Sequence, residues 1–477
     1  MISFTQHLIS KIKSIYVLII PYLLLSIIIA KELARGNYIW AIVLSLIVSV
    51  LFFIIMDPAI GLIIVIFLTP LELLQHISIG PSVIKMTFAK LCALLTLIIW
   101  IFQLLLRRNL KFVVMELHRN LKIGHTDIFF DLPVLLLSFV FAISLMWSKN
   151  YDRGIQDVIN LCLLTGMYIL VVNLFRKKIF ILLGIAALFF GAFVCSSIGI
   201  YEWYFGSRLT GQPFNLYKGM PRVSGTYSGP AGLGALLGMV MPLALSFFLY
   251  IKSCKLRVAL GFVILVYSIC SVYTITRAAW GAILIGCIYV LSKYHNKLVS
   301  ILGIISIVLS ISLIPHAIID RASYEKIRQS DDDQGRIKCL KAGTQIFKKH
   351  FLLGLGVGSY NIEIIRYYPE EGNVSPHNDL LRIATETGLL GLIIYVWIII
   401  ITIKRLRRKL KTTTSACDIA LVRGCCGSLL GYLFFSQVSG AFFNNIVWLV
   451  FSMAMIPEFN VPEEIIPSEQ EHNENHR

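Results

Sequence analysis

The sequence predicts an all-α polytopic membrane protein of about 12–14 transmembrane helices, and three observations predict it. Hydrophobic residues fill 57% of the 477 positions, charged residues only 14%, and mean hydropathy is +0.79. A soluble chain would carry about a quarter charged residues. Apolar runs recur at the length of roughly 20 residues that crosses a bilayer. Lys and Arg gather in short clusters between those runs, as topology signals do.

Taken in order, the apolar runs are 14–34, 38–56, 58–75, 86–106, 128–146, 155–175, 179–203, 231–250, 258–275, 278–292, 298–316, 388–403, 421–437 and 442–457. Several of these runs are short, and 58–75, 278–292 and 442–457 are the weakest candidates, which is why the count stays between 12 and 14. Lys11 and Lys13 precede the first run, which is longer than a signal-peptide core and is expected to remain as a span.

Alternating these spans brings the basic clusters to one side: Arg107/Arg108/Lys111, Arg176/Lys177/Lys178, Lys252/Lys255/Arg257, Lys293/Lys297 and Lys404/Arg405/Arg407/Arg408/Lys409/Lys411. That side is cytoplasmic by the positive-inside rule, and both termini join it. Residues 258–292 test the scheme. They are almost unbroken apolar sequence with basic clusters at both ends, and one helix of that length would reach roughly 50 Å. The segment must turn back near Tyr273-Thr274-Ile275-Thr276-Arg277, leaving Arg277 at the outer face.

Four regions follow. Residues 1–316 hold transmembrane helices and an outer loop at about 204–230, and 317–387 form a large extracytoplasmic loop. Residues 388–457 complete the spans, and 458–477 form an acidic cytoplasmic tail, expected to be disordered. Gly and Pro at 204–230 predict an irregular loop. Within the second loop, 336–351 reads as an amphipathic interfacial helix with Ile337, Leu340, Phe347 and Phe351 near one face. Asp331-Asp332-Asp333 is expected to precede and cap it. Gly354-Leu355-Gly356-Val357-Gly358 has no strand before it, so a turn that lets backbone approach backbone is a better reading than a nucleotide loop.

The net charge of +17 does not indicate nucleic-acid binding, because the basic residues serve as topology signals. Ten cysteines, mostly in apolar runs, make neither a disulfide framework nor a zinc site. The excess charge that breaks the positive-inside rule lies in the outer loops: Arg208, Lys218, Arg222, Arg321, Lys326, Arg328, Arg336, Lys338, Lys341, Lys348 and Lys349. Long loops translocate regardless of charge; alternatively, this face is built to hold an anion.

Ser375-Pro376-His377-Asn378-Asp379-Leu380-Leu381 closes the longest polar interruption. Ser375 suits an N-cap and Pro376 a first helical position, so a helix is expected to start there with His377 in its first turn. A neutral His at that place can accept a proton; the plainer alternative is a solvated loop histidine. Arg222, Arg277 and Arg336 each fall at the outer face, where guanidinium groups bind phosphate oxygens bidentately or simply anchor at the interface. Arg382 and Glu386, four apart, are expected to pair as structural support.

His377-Asn378-x-x-Leu381, with Glu386, Gly388 and Gly391, resembles the signature of the O-antigen ligase and O-antigen polymerase superfamily. Arg222-Val223-Ser224-Gly225-Thr226-Tyr227, Thr274-Ile275-Thr276-Arg277, and Gly335-Arg336 followed by His350 to Gly356 resemble three further segments of that family, in order. Together they cover about residues 220–395. Thr276 stands where serine is usual and Phe351 where proline is common.

The resemblance implies a GT-C-like membrane glycosyltransferase of polysaccharide or lipopolysaccharide biosynthesis, in the bacterial cytoplasmic (inner) membrane with its active site outside. Its partners would be an undecaprenyl-diphosphate-linked glycan donor, a lipid A core or growing glycan acceptor, and membrane lipid. His377 would be the general base and Asn378 a positioning residue. Arg222, Arg277 and Arg336 would bind the diphosphate, with inversion and with neither cofactor nor metal. The competing reading is a transporter or flippase of lipid-linked oligosaccharide, which should carry mid-span charges and internal symmetry.

Overall fold

A computed structural model describes residues 49–50, 52–71, 76–79, 84–106, 128–209, 213–217, 220–296, 331–369 and 376–456. The expected spans 14–34 and 298–316, most of 38–56, the basic residues at 107–111, Ser375 and the acidic tail lie outside these. The described chain is an all-α bundle with two short hairpins. Its helices are α1 (Pro58–Leu68), α2 (Phe88–Leu106), α3 (Ile128–Ser144), α4 (Tyr151–Leu174), α5 (Lys178–Phe205), α6 (Pro230–Tyr250) and α7 (Cys254–Tyr273). There follow α8 (Arg277–Ser292), α9 (Asp331–Lys349), the single turn α10 (Tyr360–Glu363), α11 (Asp379–Thr412), α12 (Ala416–Val438) and α13 (Asn445–Met455). Among the described residues, α4, α5, α6, α7, α11 and α12 are long and apolar enough to cross a membrane.

Local chemistry sets the differences from the predicted spans. The run 58–75 yields an 11-residue helix, because Pro70 cannot continue the ladder of backbone bonds. The last helix starts at Asn445, where the Asn444 side chain accepts from Ile446 N at 2.9 Å. The predicted span 388–403 lies within the longer helix α11, and the backbone breaks where that span was expected to begin, at Gly388 (φ 70°, ψ −164°). The turn expected between 258 and 292 is present, with α7 ending at Tyr273 and α8 starting at Arg277.

The centre of the bundle is α6, α8 and α12. Their backbones meet at small residues: a Cβ on Gly427 would lie 2.9 Å from Gly286 O, and one on Gly431 would lie 2.7 Å from Gly238 O. Such close approach is how apolar helices gain dispersion contacts where lipid is as apolar as they are. A continuous core spreads outward from there, with Trp448, Tyr267 and Phe435 almost wholly buried.

The two ends of the bundle have separate contacts. At one, Lys178 pairs with Asp418 at 3.0 Å, and Arg423 donates to Tyr250 and to the Lys293 carbonyl. At the other, Lys149 pairs with Glu363 at 2.9 Å, and Ala441 N donates to Asp379. The described parts of the 204–230 loop (204–209, 213–217 and 220–230), with 350–363 and 437–445, belong to this second end.

Two expectations for the loops are corrected. The 204–230 loop is not wholly irregular: Asn215–Tyr217 and Met220–Arg222 form an antiparallel hairpin, with Asn215 opposite Arg222. A second hairpin joins His76–Ile79 to Ile84–Thr87. The three acidic residues do not precede the amphipathic helix; α9 begins at Asp331 and includes them. It buries Cys339, Ala342 and Ile346 against Leu355, Tyr360 and Ile364, while of the predicted apolar stripe Ile337, Leu340 and Phe351 stay exposed and Phe347 is half-buried.

Candidate functional site

The glycine-rich turn is the frame of the site. Gly354, Gly356 and Gly358 all have positive φ, which a side chain would strain. Each also has backbone where a Cβ would stand: Glu386 C and O at 2.5 Å, Ser148 Cα at 2.6 Å and Gly154 N at 2.6 Å respectively. Leu355 N and Gly356 N donate to the carbonyls of Thr385 and Glu386 at 2.9 Å, and Leu389 N donates to Phe351 O at 2.8 Å. The break at Gly388 thus admits the 351–356 strand of chain beside α11. Ser148 and Ser359 continue the seam: Ser148 Oγ donates to Val357 O at 2.7 Å, and Lys149 N to Ser359 Oγ at 2.8 Å.

His377 lies outside the helix rather than in its first turn. Its φ is +51°, left-handed backbone that cannot continue into a right-handed helix. Asn378 is the N-cap: its Oδ1 accepts from Leu381 N at 2.9 Å and its Nδ2 donates to Gln437 Oε1 at 3.1 Å. Asp379, the first residue of α11, accepts from Ala441 N and from Tyr432 OH, which itself bonds Tyr395 OH. Gly440, at φ +71°, leaves room for this corner; a Cβ there would stand 3.1 Å from Asp379 Oδ1. His377 is therefore anchored through Asn378 and Asp379, which follow it, and is itself partly exposed.

Arg222 reaches across to the α7–α8 turn. Its Nε donates to Thr274 O and its Nη2 to Thr276 Oγ1, both at 3.2 Å, while Val223 N donates to Tyr273 O at 3.1 Å. Arg277, the first residue of α8, follows directly, so two predicted anion-binding arginines share one turn. Ile275 within that turn has φ +49°, unusual for a β-branched residue. Arg336 is on α9, whose contact with α11 is made two turns further on, where Leu381 stands 2.5 Å from a Cβ built on Gly343.

Arg382 and Glu386 are 3.5 Å apart, but the shorter contact of Arg382 is to Asp157 on α4, at 2.6 Å. The guanidinium also lies 4.6 Å from the centre of the Phe443 ring, a cation–π distance. Arg208 is corrected outright. It is buried against Glu202 at 3.2 Å and donates to Tyr227 O, so it does not face an anion at the surface. Glu202 accepts from Ser224 N and Gly225 N at 3.0 and 2.9 Å, fixing the segment that carries Arg222.

Sequence reasoning missed Glu202, Asp157 and Asp379 as supports. The available signal was the same for the first two: an acid inside an apolar run is retained only with partners. In the 350–369 segment, burial alone would push the Glu363 carboxyl up; the hydrogen bond and charge of Lys149, with Arg366 beside it, outweigh this and hold it below its ordinary value. Burial pushes the Tyr360 phenol up, and its hydroxyl donates to Cys339 O at 2.7 Å.

Residues 260–396 match the family model described as O-antigen ligase. That stretch includes the Thr274–Arg277 turn, α9, the glycine-rich turn and the His377 corner. No curated protein matches the chain.

Proposed function

From the match of residues 260–396 to the O-antigen ligase family model, we propose that the chain moves a glycan from an undecaprenyl-diphosphate carrier to an acceptor hydroxyl, at the outer face of the bacterial cytoplasmic membrane. The acceptor is a lipid A core sugar or another glycan chain. The observation that carries the reading is backbone strain. Among the described residues, two non-glycine residues have positive φ, and they are His377 and Ile275, beside Arg277. Such conformations concentrate where function requires them.

In this reading His377 accepts the proton of the acceptor hydroxyl. The freed oxygen attacks the anomeric carbon, and the bond from that carbon to the diphosphate oxygen breaks on the opposite face, giving inversion. The electron pair leaves on the diphosphate, which Arg222, Arg277 and Arg336 stabilise without a metal. Thr274 O and Thr276 Oγ1 orient Arg222, and a guanidinium has five donors to share between such bonds and a ligand. Asn378 positions His377 by capping α11 and holding Gln437. The outward placement rests on the basic residues at the opposite end, among them Lys178, Lys293 and Arg423. The exposed stripe of α9 would rest on the membrane surface.

The test is incubation of the purified chain with an undecaprenyl-diphosphate glycan and alternative acceptors, with and without chelator. Sugar should appear on one acceptor, unaffected by chelation. Movement of intact donor across vesicles without transfer would make the chain a transporter instead.

A further inference from the structure

The last turn of α5 is crowded with aromatic side chains, Tyr201, Trp203, Tyr204 and Phe205, and Tyr273 at the end of α7 joins them. Trp203 and Tyr273 stack in parallel, with ring centroids 4.4 Å apart and planes within 2°. Tyr204 stands edge-on to Tyr273 at 6.2 Å, and their hydroxyls share a hydrogen bond at 3.3 Å. Phe205 stacks on Tyr201 at 4.5 Å. Packing consumes only part of these rings, since Tyr204 and Phe205 are each 69% exposed. Gly206, at φ +62°, ends the helix directly after them.

The same backbone carries the rings and the arginines. Glu202, between Tyr201 and Trp203, is fully buried and accepts from Ser224 N and Gly225 N, just after Arg222. Tyr273 O accepts from Val223 N, and the carbonyl of the next residue, Thr274, accepts from Arg222 Nε. Arg277 follows in the same turn. Counted from Lys178, Tyr204 is roughly 39 Å along α5, past the roughly 30 Å of a hydrocarbon core.

We propose that Tyr204 and Phe205 form a shelf on which a hexopyranose ring of the glycan lies, beside the diphosphate held by the arginines. The C–H face of such a ring is apolar and weakly electropositive, so it suits the negative face of an aromatic ring. Its rim of hydroxyls suits the paired hydroxyls of Tyr204 and Tyr273, which a lipid chain does not need. The ligand class rests on the glycan-transfer reading; the flat, exposed rings joined to the arginine turn come from the fold. The simpler role is an aromatic anchor at the membrane interface. An anchor needs apolar bulk, whereas a shelf needs a flat face.

Binding of cellotetraose to the full chain, followed by saturation-transfer NMR in a detergent without a sugar head group, separates these roles and needs no transfer activity. Ring C–H protons should receive the most saturation. Tyr204→Leu and Phe205→Leu keep apolar bulk at exposed positions, and each should weaken binding about three- to tenfold, the worth of one aromatic stack. Tyr204→Phe, which keeps the ring, should weaken it less, and sorbitol, which has hydroxyls and no ring, should not compete. Equal affinity in wild type and both leucine variants overturns the proposal, as does absence of binding by wild type. In the transfer assay, Tyr204→Leu should raise one KM with little change in kcat. The KM for the lipid-linked donor rises if the ring is the donor's, and that for the acceptor if it is the acceptor's; two unchanged KM values overturn the shelf. Ring-dependent binding of cellotetraose by a chain that transfers no glycan would sink the transfer reading and leave the shelf standing.

Discussion

Arg382 places Nη2 2.6 Å from Asp157 Oδ2, joining α11 to α4 across 225 positions of sequence. Their side chains are only 15% and 6% exposed. Removing one partner strands the other charge, a loss on the order of 3 kcal/mol for a buried pair. Asp157→Asn should therefore lower the melting temperature in detergent by several degrees. An unchanged melting temperature would mean that Glu386 alone sustains Arg382.

His377 is expected to act chemically, not structurally. His377→Ala should fold with an unchanged melting temperature and lose transfer by about 100-fold or more, the range of a general base. His377→Asn is a sharper control, because asparagine tolerates left-handed backbone well. It should keep the corner and still lack transfer. Near-normal transfer by either variant removes the proposed base.

The arginine turn yields a graded series. Arg277→Ala should cut transfer strongly and Arg277→Lys should restore it only in part, since an ammonium cannot chelate two oxygens. Thr276→Val removes the hydroxyl that accepts from Arg222 Nη2. Its transfer rate should fall although no arginine has changed. Full activity in Thr276→Val would show that the Thr274 carbonyl suffices to aim Arg222.

These residues show what was legible in the sequence. The apolar runs and basic clusters were enough for an all-α bundle and for the turn before Arg277, because burial and charge are local properties. The spacing of the histidine motif gave the residues but not their backbone. Asn378 takes the cap role expected of Ser375 because its side chain meets both Leu381 N and Gln437, and Gln437 is 59 positions away. Arg208 reads as a surface cation in the sequence, but in the fold it is buried beside Glu202. Both are tertiary facts, carried by pairs too far apart for periodicity to register.

Gly388 should be the least replaceable glycine of the motif. Its φ of +70° already disfavours a side chain, and a Cβ there would fall onto the Leu352 carbonyl oxygen. Gly388→Ala should detach the 351–356 segment from α11 and appear as lost monodisperse material in size-exclusion chromatography. A well-behaved, active Gly388→Ala protein would show that the break in α11 is not required.

The Lys149–Glu363 pair ties the segment after the glycine-rich turn to the α3–α4 junction, and its pH dependence has a definite sign. Glu363 is held below its ordinary value in the folded chain by Lys149 and Arg366, against the upward push of burial. Its unfolded counterpart titrates near pH ~4.3. The stabilisation is therefore fully present above that pH and is lost as pH falls through the lower folded value. Glu363→Gln removes the titration. Between pH 7 and about 3.5, an acidic range set by that unfolded value, the wild-type melting temperature should fall by more than that of the variant. Parallel curves would mean that the seam of Ser148, Ser359 and the three glycines holds the loop without the ion pair.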